Sequence, residues 1–135
     1  MRTLIMTYPV TTAAIELVME AIEGALDSAI HDAHEVFQIM TCCREALNNI
    51  VEHSGGSWFT TRFRLANFGE RNAVVIAFRY RGTEFQPPSQ TETPLNAGSG
   101  RGWPIMQAWM DRAHATCHRD TVRVTLSKRL TTNQT

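Results

Sequence analysis

Six consecutive apolar residues, Ala73-Val74-Val75-Ile76-Ala77-Phe78, constrain the fold more than any other feature of the chain. An unbroken run of that length is what a well-buried central strand requires, and it is far too short to span a membrane. Such a strand needs partners on both edges and an apolar layer over its face. The rest of the sequence supplies them. Thr3 to Tyr8 alternates loosely and ends at Pro9, which suits a short edge strand. Trp58 to Leu65 alternates, and Asn67 to Asn72 makes a turn into the apolar run. Two closing strands, roughly His114 to His118 and Thr121 to Ser127, precede a polar tail over 129–135.

The covering layer comes from two helical patterns. Thr11 and Thr12 offer hydroxyl caps, and Ile15, Val18, Met19, Ile22 and Leu26 follow the spacing of one buried face. After a polar break from Asp27 to Asp32, a longer helix runs from about Glu35 to His53 with Ile39, Cys43, Ala46, Leu47 and Ile50 inward. Ser54-Gly55-Gly56-Ser57 ends it, glycine being usual past a helix end. A third helix follows Gly98 to Gly102, with Ile105, Met106, Trp109 and Met110 apolar. Helices gathered on one face of a mostly antiparallel mixed sheet make an α+β sandwich of two layers.

Length and composition set the remaining bounds. The chain's 135 residues fit one domain, 1–135, and 43% hydrophobic against 19% charged residues is core-forming, not disordered. Thirteen Lys and Arg balance thirteen Asp and Glu. That balance argues against nonspecific attraction to nucleic acid or anionic membrane; it leaves room for a local basic patch, although none is expected. The three cysteines, Cys42, Cys43 and Cys117, form neither a disulfide framework nor a CxxC zinc pair, which suits a reducing cytoplasm. Met1 to Val10 is too short and polar for a signal peptide.

Three places carry candidate chemistry. Glu45, Asn49 and His53 form an i, i+4, i+8 row at the border of the apolar stripe of the second helix. A carboxylate one turn from a carboxamide can act as general base beside a hard-cation ligand such as one for magnesium. The bland alternative is a solvated polar flank. Gly98-Ser99-Gly100-Arg101-Gly102 opens the third helix, where backbone N–H groups and the helix dipole favour a phosphate. A hinge or tight turn explains such a loop as well, and neither a Walker A nor a Rossmann fingerprint is present. Tyr80-Arg81-Gly82-Thr83-Glu84-Phe85-Gln86-Pro87 ends the apolar strand, where Gly82 can bring backbone close to a ligand. A plain strand-to-loop turn accounts for it equally well. The stretch from Arg81 to Gly98, rich in Pro, Gly, Ser, Thr, Gln and Asn, is long for a domain this size. The histidines form no HExxH or comparable ligand set.

Taken in order, Glu45-Ala46 with Asn49 and His53, then Gly82, then Ser99-Gly100-Arg101-Gly102-Trp103-Pro104-Ile105-Met106 through Met110-Asp111 resembles a known family. It looks like the anti-sigma-factor serine kinases of the GHKL (Bergerat-fold, histidine-kinase-like) ATPase superfamily, over nearly the whole chain. The resemblance implies that Glu45 is the general base, that Asn49 holds Mg2+, and that His53 completes this helical motif. It implies that Gly98, Ser99, Gly100, Arg101 and Gly102 contact the phosphates of ATP, and that 83–97 is the ATP lid. Tyr80 stands where the family has the adenine-binding Asp, two residues before the glycine that aligns with Gly82. Gln86 also replaces an Asp, and Arg119-Asp120-Thr121 stands where Gly-Thr is usual. The resemblance further implies a cytoplasmic bacterial regulator that phosphorylates a serine of a STAS-domain antagonist and sequesters a sigma factor. Homodimerisation through the sheet edge is expected on the same grounds. The alternative is a non-catalytic module that binds a sigma factor or STAS protein without turnover.

Overall fold

Alternation along the strands decides which side of the sheet the helices cover. A computed structural model of the chain describes residues 2–30, 32–68, 71–82, 84–85 and 102–130. Its elements are β1 (Arg2–Pro9), α1 (Thr12–Asp27), α2 (Ala33–His53), β2 (Trp58–Phe68), β3 (Arg71–Arg81), α3 (Gly102–Trp109), β4 (Arg112–His118) and β5 (Thr121–Arg129). The strands form one sheet in the order β1-β2-β3-β5-β4, and every described pairing is antiparallel. The expected two-layer α+β sandwich is therefore present, with the apolar run on the middle strand.

Phe59, Phe63, Ile76, Phe78, Val124 and Leu126 point from the sheet into the core, where they meet the inward faces of α1 and α2. All five residues expected inward on the first helix are buried, as are all five on the second. Each such side chain removed from water contributes roughly 1.5–3 kcal/mol. Thr11 caps α1 by accepting from the Ala14 N–H at 3.1 Å. Asp32 caps α2, accepting from His34 and Glu35, so the helix starts at Ala33, slightly before the expected boundary.

Several expectations are corrected. The apolar run, expected to be a well-buried strand, is so on its helix-facing side. Val74, Ile76 and Phe78 face the helices, while Val75 and Ala77 lie half-covered on the opposite side, because the helices pack on one face only. The β2–β3 turn is tighter than Asn67 to Asn72, since those two residues pair across the strands. The end of α2 does not use a left-handed glycine. Its cap, Ser54, is extended and donates its N–H to Ile50 at 2.8 Å. Finally, a local basic patch exists. Net charge sums over the whole molecule, but strand alternation sorts arginines onto the uncovered face.

Phe63 is fully buried in the middle of the core, whereas Ile5 on the uncovered face is 64% exposed. Phe63→Ala is expected to lower unfolding stability by about 3–5 kcal/mol in urea titration. Ile5→Ala is expected to change it by less than about 0.5 kcal/mol. Comparable losses at both positions would contradict one-sided burial.

Candidate functional site

Helix α2 presents the first group of side chains. Asn49 is 4% exposed, turned into the layer between helix and sheet. Glu45, one turn earlier, is half-buried and borders a hollow of about 500 Å³ between α1 and α2. Burial, and secondarily the Glu52 carboxylate on the same helix, raises the Glu45 carboxyl above its usual range. A carboxylate so placed accepts a proton more readily than a free one. His53 is the last residue of α2 and is exposed. The row predicted from spacing thus runs from half-buried through buried to solvent.

The second group stands at the end of β3, tied to the end of α2. The Gly55 N–H donates to the Arg81 carbonyl at 2.9 Å. A Cβ at Gly56 would lie 2.9 Å from the Arg81 Cβ, so glycine is required there by close approach. On its other side this strand end is held by the Gly82 N–H, which donates to the Asp120 carbonyl at 2.9 Å. A Cβ at Gly82 would meet Val122 Cγ2 at 3.2 Å. Between these anchors Tyr80 is 3% exposed, and its hydroxyl has no hydrogen-bond partner among the described residues. Burial, with a smaller contribution from Cys117, pushes its phenol up to about 12. Tyr80 is therefore a protonated hydroxyl at physiological pH, able to donate or accept.

Thr61 on β2 was not singled out by the sequence, although a threonine between Phe59 and Phe63 in an alternating strand is the signal for it. It is fully buried, it lies diagonal to Tyr80 on the helix-facing side of the β2–β3 register, and its hydroxyl likewise finds no described partner. A buried hydroxyl without a partner costs about 1–3 kcal/mol. Two of them on one face fit a polar ligand group in a way that a sealed apolar core does not.

The third group begins α3. Gly102 is the first residue of that helix, whereas Gly98, Ser99, Gly100 and Arg101 lie outside the described residues, as does most of the expected lid over 83–97. The flanks of that stretch meet: the Phe85 and Trp103 rings sit 5.0 Å apart and tilted by 58°. α3 is fixed by buried Met106 and Met110 and by Lys128 Nζ, which donates to the Trp109 carbonyl at 2.8 Å. No group of three His, Cys, Asp or Glu that could hold a metal occurs among the described residues. Cys42 and Cys43 are buried, with the Cys42 thiol pushed up to about 12 by burial, so they pack as apolar side chains and not as nucleophiles. No helix among the described residues is long and apolar enough to cross a membrane.

A family model described as a histidine kinase-like ATPase domain matches residues 8–128. Among solved structures, the chain is similar to the RsbU and RsbW domains of a Mycobacterium tuberculosis protein, with a TM-score of 0.73 and 19% identity over 96% of this chain and 33% of that one. It is similar to the crystal structure of the SiaB–SiaC complex from Pseudomonas aeruginosa, with a TM-score of 0.60 and 15% identity over 94% of this chain and 89% of that one. It also resembles the Acinetobacter baumannii histidine kinase AdeS, with a TM-score of 0.50 and 11% identity over 99% of this chain and 70% of that one. The chain thus spans a third of the first of these structures, and at such identities the likeness is one of fold. No curated protein matches its sequence.

Two substitutions test the electrostatics of the site. Tyr80→Phe is expected to leave unfolding stability unchanged or raise it by up to about 1 kcal/mol. A larger loss in urea titration would mean that the hydroxyl has a partner in the folded chain. For Glu45, a folded pKa above the ordinary glutamate value of 4.5 means that the carboxylate form opposes folding. Stability is therefore lost as pH rises from the unfolded pKa through the folded one. Glu45→Gln is expected to be more stable than wild type at neutral pH, with the advantage disappearing as pH falls below 4.5. A difference that stays constant with pH would remove this assignment.

Proposed function

Because the chain belongs to the histidine kinase-like ATPase domain family, we propose that it binds ATP with Mg2+ and acts as an anti-sigma regulatory kinase toward a serine of a STAS-domain partner. The observation that carries this reading is the α2 row, where a half-buried carboxylate of raised proton affinity stands one turn from a buried carboxamide. A module that only binds partners has no need of that pair.

In this reading Asn49 supplies an oxygen ligand to the cation, and Gly98, Gly100 and Gly102 bring backbone N–H groups to the phosphates, with Ser99 and Arg101 beside them. ATP bound there would supply the phosphoryl group, and Mg2+ held by Asn49 would offset its negative charge. Glu45 takes the proton from the attacking serine hydroxyl, a task its raised pKa suits. Tyr80 occupies the position implied for the adenine-binding Asp, and its partnerless hydroxyl offers a hydrogen bond to the base edge. Gly82, beside Tyr80, carries no side chain to crowd Val122. His53 borders the site from the exposed end of α2. The similar solved structures support the partner class, one holding an RsbW domain and another a SiaB–SiaC complex. A cytoplasmic site of action and a homodimer joined through an edge strand belong to the same proposal.

The second reading, a partner-binding module without turnover, is favoured by one observation. The Tyr80 ring is larger than an Asp and almost wholly buried, so it takes up part of the space meant for a base. Calorimetric titration with ATP, with and without Mg2+, separates the two. Magnesium-dependent binding is expected, and Asn49→Ala is expected to weaken it by about tenfold or more only when the metal is present. Glu45→Ala is expected to keep nucleotide binding while lowering phosphotransfer to a STAS-domain substrate by about 10²–10⁴-fold. Absence of binding at millimolar ATP would leave the module reading.

A further inference from the structure

Charge in this chain is sorted by layer. No Asp or Glu stands in any of the five strands, which hold most of the thirteen Lys and Arg. α1 and α2 carry Glu16, Glu20, Glu23, Glu45 and Glu52 against a single basic residue, Arg44, which is itself paired with Glu16. A net charge of zero therefore conceals two faces of opposite sign.

The strand register shows how the basic face is built. Arg79 on β3 stands directly opposite Arg123 on β5 and opposite Thr60 on β2. In the next row of that face Arg62 pairs with Ala77. Arg62, Arg79 and Arg123 are exposed, and none makes a hydrogen bond or ion pair with another described residue. With Ile5, Thr60 and Ala77 they line a shallow hollow of about 190 Å³ near the middle of the uncovered sheet. One row further on, the buried Nε of Arg64 has no acceptor among the described residues. Arg81 differs, since it pairs with Asp120.

Like charges directly opposite each other across two strands destabilise a sheet. Arg79 and Arg123 bear that cost with no described counter-ion, and an anion placed between them relieves it. Guanidinium groups suit the task because their planar forks grip carboxylates bidentately. The surroundings specify the anion further. Ile5 at 64% exposure and Trp58 at 58% put large apolar groups on the same face as the arginines. Arginine, tryptophan and exposed aliphatic contact are the chemistry of protein interface cores. The face is about 20 Å wide, five strands at roughly 4.8 Å spacing. A long polyanion would run past it toward the acidic helical layer, whereas a short acidic segment would not. A second copy docked face to face would set arginine against arginine.

We propose that the uncovered face of the sheet is a docking surface for an acidic protein segment, whose carboxylates enter the Arg62–Arg79–Arg123 hollow. This surface is separate from the α2 and β3-end groups and does not depend on nucleotide binding.

The test is fluorescence anisotropy at low salt with the full chain and a labelled peptide of repeating Glu-Ser-Leu triplets. A Gln-Ser-Leu peptide and an oligothymidylate serve as comparison probes. Wild type is expected to bind the glutamate peptide in preference to both. The combined variant Arg62→Gln, Arg79→Gln, Arg123→Gln is expected to bind it at least about tenfold more weakly. Its melting temperature should be at or above that of wild type, because like-charge repulsion is removed, so lost binding cannot be attributed to misfolding. Equal affinity of variant and wild type would overturn the proposal, as would failure of wild type to bind the glutamate peptide. Tighter, arginine-dependent binding of oligothymidylate would instead make this a nucleic-acid surface. Arginine-dependent self-association in sedimentation, without peptide binding, would make the occupant a second copy.

Discussion

Burial of one face of an antiparallel sheet beneath α1 and α2 is the interaction on which the other features depend. Phe59, Phe63, Ile76, Phe78 and Leu126 meet Val18, Ile22, Leu26, Ile39, Leu47 and Ile50, and that apolar layer holds both helices against the strands. Since only one face is covered, the strands alternate between core and solvent. The alternation then settles two further matters. It places any polar residue of inward parity at the helix–sheet boundary, and it sends every charged residue of the other parity to the open side.

The candidate site is a consequence of the first. Asn49 on α2 and Thr61 and Tyr80 on the sheet are polar positions in an otherwise apolar layer. Their burial opposes folding, and the surrounding core offsets it. Two tight contacts register the site: Gly55 to Arg81 locks the end of α2 to the end of β3, and Gly82 to Asp120 locks that same strand end to the β4–β5 turn. The turn itself carries Arg119 at φ 58, a left-handed conformation that costs an L-residue roughly 1 kcal/mol. A departure from the family pattern at Arg119-Asp120 thus falls at a strained turn that anchors the site. Asn49, Thr61 and Tyr80 are thereby held on a helix and two paired strands.

The second consequence is the polarity of the molecule. Carboxylates gather on the helical layer and guanidinium groups on the open sheet, so a chain with balanced charge presents opposite potentials to its surroundings. Such complementarity acts on encounter rate and partner choice more than on raw affinity.

Much of the fold was legible in the sequence, because periodicity reports burial directly. The inward residues of α1 and α2, the central position of the apolar run and the edge position of the first strand all follow from side-chain spacing, which is a local property. The pairing of Glu45 with Asn49 was readable for the same reason, since one helix contains both. Other features depend on residues distant in sequence. Thr61 and Tyr80 become neighbours only through the β2–β3 register, and Gly56 is required by the Arg81 side chain that approaches from β3, while Val122 of β5 packs closely on Gly82. The half-exposed back of Ala73–Phe78 was likewise hidden, because six apolar residues look the same whether one face or two are covered. Above all, Arg79 facing Arg123 is a product of β3–β5 pairing. Composition summed their charges with distant carboxylates to zero, and only the tertiary structure separated the two signs, because electrostatic potential depends on position while net charge does not.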